Sequence, residues 1–296
     1  MKLKIVSGKK KQFFFYAYHL SLWHYSAYKE ISDSLRKKMG ILLKQEELAL
    51  REIRKILKKY SFDNSAPASV YYRHDEKSIE QNLFNSLETS DAKIFIESMK
   101  ILNSKFEILW KTDSRRSSEI VTYLKQVLKD EKVISLISDI EIIFSPFKKL
   151  QVVALVYPEE FKHIGGSANT GLGICTIELS DSNRAQEGIL VALHELTHSL
   201  LREYGYSFEV RKPLRNSLKR KVPFSKEMTK SETLEELFLR FFLPDGYLAK
   251  KHLNQITLDS ALEAAPQSFH NEILNVVDEK KTISQELIRI FKKNST

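Results

Sequence analysis

A single cysteine, Cys175, stands in the whole sequence, so no disulfide can form within the chain and no cysteine-rich zinc module is encoded. That scarcity fits a reducing, cytoplasmic compartment or a proteome that uses little cysteine. Glycine and proline are also few, nine and seven in 296 residues. With abundant Lys, Glu, Leu and Ile, they predict a mainly helical protein. No apolar run is long enough to cross a bilayer. The aromatic stretch "FFFYAYHLSLWHYSAY" (13–28) follows a basic start, yet it contains His19 and His24 and ends without a small-residue cleavage site. It reads as an aromatic core helix rather than a targeting segment. A phosphate-binding loop is missing too, because "GGSANTGLG" lacks the lysine and the following helix that such a loop needs. The net charge of +9 favours acidic partners in general. No nucleic-acid motif accompanies it, so it reads as a lysine-rich solvated surface rather than a nucleic-acid footprint.

What is present divides near Pro146. Before it the pattern is helical. In residues 31–60, Ile31, Leu35, Met39, Leu42, Leu43, Leu48, Leu50 and Ile53 recur mostly at intervals of three to five, with Gly40 as a break between two helices. Further helices are predicted over 78–88, 91–111, 117–129 and 131–139, with "TDSRRSS" (112–118) as a turn between two of them. "LKIVS" at the start can form one short strand. After Pro146, "LQVVALVYP" (150–158) reads as a buried strand and "ICTIELSD" (174–181) as a half-buried strand at a sheet edge. Between them "HIGGSANTGLG" (163–173) holds four of the nine glycines. A helix is predicted from about 185 to 204, capped by Asp181 or Ser182 and stopped at Gly205. A basic loop follows, then the apolar helix "ETLEELFLRFFL", halted by Pro244, and two weaker helices over 258–278 and 282–292. The expected fold class is therefore α+β, mainly α-helical, with a helical domain or subdomain over 1–148 and a small α+β domain over 149–296.

Chemistry concentrates in "ILVALHELTHSLL" (189–201). His194 and His198 are four residues apart, so on a helix their rings project from one face, one turn apart. Two imidazoles so placed can bind one tetrahedral Zn²⁺. Glu195 is rotated away from that axis and can reach a water on the metal, whose pKa zinc lowers to about 7. A carboxylate there suits a general base for the attack of water on an amide.

"ALHELTHSLL" resembles the HExxH helix of zincin metallopeptidases, over about residues 150–245. The resemblance implies a zinc-dependent hydrolase acting on peptide bonds, with a peptide or protein substrate held against a sheet-edge strand, here expected near 174–180. A metzincin would carry a third histidine six residues after His198, and Tyr204 stands there instead. The gluzincin pattern takes a glutamate from a later helix, and 231–244 offers Glu232, Glu235 and Glu236. In several gluzincin families a ligand Glu is followed four residues later by an acidic residue or Asn, and then by a Phe two further on. Glu232, Glu236 and Phe238 stand at those offsets. By that resemblance Glu232 would be the third zinc ligand and Glu236 would orient a ligand histidine. Glu235 stands where that pattern usually has a small residue, so Glu236 and Glu235 remain alternatives for the ligand. Tyr204, Tyr206 and Tyr247 are candidates for stabilising an oxyanion, and the basic run 211–226 is a candidate lid. Two rival readings remain open: a zincin-fold binding module with little turnover, and a basic protein that binds nucleic acid.

Overall fold

The computed structural model describes residues 3–24, 27–60, 67–144, 150–161, 164–169, 173–203, 239–253 and 267–279. They form a mainly helical molecule built around one mixed four-stranded sheet. The chain opens with β1 (Leu3–Val6) and runs through seven helices: α1 (Lys9–Ser21), α2 (Lys29–Met39), α3 (Lys44–Lys59), α4 (Pro67–Arg73), α5 (Ile79–Ser86), α6 (Thr89–Val127) and α7 (Glu131–Phe144). Then come β2 (Leu150–Val156), β3 (Ile164–Asn169), β4 (Ile174–Leu179), α8 (Ala185–Glu203), α9 (Tyr247–Leu253) and α10 (Gln267–Asp278). Among the described residues, no helix is long and apolar enough to cross a membrane.

The strand order is β1-β2-β4-β3. β1, β2 and β4 are parallel, while β3 runs antiparallel to β4, with Gly166 opposite Ile177. Parallel strands are normally covered on both faces, and "LQVVALV" accordingly reads as a continuous apolar run. Val152, Ala154, Val156, Cys175, Ile177 and Leu179 face a core built with α7, α8 and the C-terminal part of α6. Val153, Leu155 and Ile174 face a second core, filled by α1 to α5 and the N-terminal part of α6. The aromatic helix α1 is the centre of that second core. Phe14 stacks on Tyr71, and Phe13 and Tyr16 pack on Phe106.

The sheet joins the two halves of the sequence across residue 148. β1 pairs with β2 in register Leu3 to Leu150, and the buried Gln12 side chain of α1 both donates to the Val156 carbonyl and accepts from its N–H, each at 2.9 Å.

Two local expectations are corrected. Residues 112–118 are not a turn but the middle of the 39-residue helix α6. The stretch contains no glycine or proline. Some of its polar side chains are satisfied on the helix itself, Ser118 on the Ser114 carbonyl and Arg115 on Glu119, while Asp113 accepts from the Tyr16 hydroxyl of α1. Arg116 also donates to the Tyr157 and Ser180 carbonyls, tying α6 to the ends of β2 and β4. The second correction concerns the sheet edge. β4 lies inside the sheet, hydrogen-bonded on both sides, and the outer strand next to it is β3, drawn from the glycine-rich stretch, with β1 at the opposite edge. Alternation along "ICTIEL" reflects two different buried faces rather than one wet and one dry face.

Candidate metal centre

α8 carries both histidines. A 3₁₀ turn (Ser182–Arg184) leads into it, with the Asp181 carboxylate accepting from the Asn183 N–H at 2.8 Å, and Arg184 pairs with Glu187 in the first turn. Ile189, Leu190, Ala192, Leu193, Leu196 and Leu200 are all buried against the sheet and neighbouring helices. The leucines and the isoleucine among them contribute about 1.5–3 kcal/mol each when fully withdrawn from water. Packing therefore holds the helix, and with it the rotation of its polar residues.

His194 is 5% exposed. Its Nε2 lies 3.2 Å from Nε2 of His198, and the two rings stand at 89°. Two donors 3.2 Å apart subtend roughly 100° at an ion 2.0–2.1 Å from each, close to the tetrahedral angle zinc prefers. A proton shared between the two nitrogens would also satisfy this spacing, so the pair has one point of convergence for either a proton or a metal.

The other side of His194 decides which nitrogen is presented. Its Nδ1 sits 2.8 Å from the Leu243 carbonyl oxygen. A carbonyl only accepts, so Nδ1 carries the hydrogen and donates, leaving the Nε2 lone pair directed at His198. An outer hydrogen bond of this kind commonly orients a metal-binding histidine. Within the helix, the buried Thr197 hydroxyl donates to the His194 carbonyl at 2.7 Å.

Leu243 reaches this position through a tight fold of residues 239–248. The Leu243 N–H donates to the Leu239 carbonyl, and the Tyr247 N–H donates to the Phe241 carbonyl at 2.8 Å. Phe241, Phe242 and Leu243 are fully buried in the core that α8 faces. Gly246 permits the fold, since a Cβ there would lie 2.3 Å from the Phe241 carbonyl group. The partner of His194 is not legible in the sequence. The one signal there is Pro244, which halts a predicted helix and would leave the preceding carbonyls in need of other donors.

Glu195 is half-buried, next to β3. A Cβ on Gly166 would meet the Thr176 carbonyl oxygen at 2.7 Å, Val191 at 2.8 Å and the Glu195 Cγ at 3.4 Å. The outer strand thus runs directly against the helix face that carries Glu195. Burial pushes the Cys175 thiol well up, and the Glu195 carboxylate adds to the effect, so Cys175 stays protonated.

The three glutamates expected to offer a further ligand, Glu232, Glu235 and Glu236, lie outside the described residues, as do Tyr204, Tyr206, His163 and the basic run 211–226. Among the described residues, no three His, Cys, Asp or Glu side chains gather in a metal-holding group. Tyr247 has its hydroxyl 2.8 Å from Nδ1 of His270 in a buried contact between α9 and α10. His252 instead contacts the buried Asp139 at 2.8 Å. The chain matches no family model, no curated protein and no solved structure.

Proposed function

We propose that this chain is a zinc-dependent peptidase of gluzincin type, with a zincin-like arrangement of sheet, HExxH helix and later glutamate helix. The observation that carries the reading is the convergence of His194 and His198 at 3.2 Å, with the far nitrogen of His194 held by the Leu243 carbonyl. His194 and His198 would hold the metal. Glu232 would complete the set, with Glu236 or Glu235 as the alternatives. Zinc bound there would polarise the substrate carbonyl and lower the pKa of a water.

Glu195 takes a proton from the attacking water and delivers it to the departing amide nitrogen. Its half-buried place beside β3 supports this role, since a substrate along that strand would bring its backbone past the carboxylate. β3, rather than β4, is the strand with an outer edge to offer, and an extended peptide can add to it through main-chain hydrogen bonds.

Metal content and hydrolysis of generic peptides by the wild type and Glu195→Gln test the proposal together. We expect one zinc per chain in both proteins and a loss of turnover on the order of 10²-fold or more in the variant. Zinc in both with equal, negligible turnover would instead identify a zincin-fold binding module.

A further inference from the structure

The most exposed large apolar side chain in the described structure is Ile41, 90% accessible, at the corner between α2 and α3. Leu43, two residues on, and Leu48, one turn into α3, are 57% and 48% accessible. Gly40 turns the corner with φ +74°, and a Cβ there would meet nothing within 4 Å, while Leu42 packs inward against the second core. The corner is held in place. Lys105 of α6 donates to the Ile41 carbonyl at 2.7 Å, and the Leu43 N–H donates to the Glu46 carboxylate at 2.7 Å. Ile101 and Ile108 lie four residues before and three after Lys105, on the same side of α6, and both are exposed.

The charge around this corner is mostly positive. Residues 36–59 hold nine Lys or Arg against three Glu, a surplus of six within a net +9 for the whole chain. All three glutamates are matched by cations, Glu46 to Lys105, Glu47 to Arg36 and Glu52 to Lys55. Two of the cations are in turn paired, Lys38 with Glu160 and Lys59 with Glu88 and Asp91. Exposed Lys37 and Lys44 flank the apolar tip, and Arg51 and Arg54 continue the basic surface along α3.

We infer that this corner docks on an anionic lipid surface, with Ile41 and Leu43 entering the interface and the surrounding cations meeting the headgroups. Aliphatic side chains framed by lysine and arginine match the two components of such a surface, an apolar interior beneath negative charge. They have no ring face on which an unpaired base could stack, which argues against single-stranded nucleic acid here. The arrangement needs no membrane-spanning helix and does not depend on the peptidase reading.

Co-sedimentation with vesicles of phosphatidylcholine alone, and of phosphatidylcholine mixed with phosphatidylglycerol, tests the inference. The intact protein should pellet with the mixed vesicles at low salt and remain in solution with phosphatidylcholine alone. Ile41→Ser with Leu43→Ser should lower the partition coefficient by about tenfold or more, the order of change expected when such side chains no longer leave water. Lys37→Glu with Lys44→Glu should weaken binding and flatten its salt dependence. Circular dichroism should show both double variants folded, because the substituted side chains are exposed. Equal pelleting with both vesicle types, or none with either, would overturn the inference. So would binding that the serine variant retains in full, including binding of duplex DNA in place of vesicles, since that would be a charge contact without insertion.

Discussion

At the scale of single residues, the site depends on which atom of each ring is presented. The sequence placed His194 and His198 on one helical face, and the structure brings their Nε2 atoms together. It could not show that Nδ1 of His194 is occupied, because the partner is a backbone carbonyl 49 residues away, and backbone atoms leave no mark on composition. The same holds for Lys11, whose buried ammonium donates to the Tyr71, Tyr72 and His74 carbonyls at the end of α4, though it reads as surface charge in "GKKKQ". Glu160 provides a titratable test of tertiary contacts. Partial burial pushes its carboxyl up, but the Ser34 hydroxyl, its own backbone and Lys38 outweigh this and bring it down to about 2. A carboxyl held low in the folded state stabilises above its unfolded pKa, about 4.3, and that contribution is lost as pH falls toward about 2. Its exposure keeps the contribution below about 1 kcal/mol. Urea unfolding of Glu160→Gln should therefore show a shallower loss of stability across this interval than wild type. Identical pH profiles would mean that the contact between α2 and the segment after β2 is not formed in solution.

At the scale of elements, long-range pairing overrode what local pattern suggested. The buried strand at 150–158, the HExxH helix and the aromatic helix near the start are legible in the sequence, because each shows a strong apolar pattern that a core of this size must bury. The sheet edge is not legible and falls by pattern at 174–180, because a glycine-rich segment has low strand propensity and nothing local reveals that 164–169 pairs with β4. Gly166 is used there for its lack of a side chain, which lets β3 approach Val191 and Glu195. Substituting Gly166→Val should push the outer strand away from α8. On the proposed reading, peptide hydrolysis should fall by about tenfold or more, as a misplacement near 1 Å can do, while zinc content stays at the wild-type level. Unchanged kcat/KM would show that β3 does not line the substrate path. The turn predicted at 112–118 was a failure of the same kind: hydroxyl and charged residues that favour turns in isolation are held helical in α6 by Arg116 and the strand ends it reaches.

At the scale of the whole molecule, the two halves of the sequence share one sheet. β1 and α1 cover β2 from the N-terminal side, and α6 contributes Leu102 and Phe106 to one core and Ile120 and Leu124 to the other. A fragment comprising residues 149–296 would expose the Val153 and Leu155 face and leave the Val156 backbone without Gln12. It should give a broad, weakly cooperative unfolding transition, whereas the full chain should unfold sharply. A cooperative transition in the fragment would show that the C-terminal half carries its own complete core. The site that this shared scaffold positions is tested most directly by counting zinc in purified wild type and His198→Ala. We predict one zinc per chain in the wild type and a substoichiometric residue in the variant. Full zinc retention in His198→Ala would contradict the assignment of α8 as the metal-holding helix.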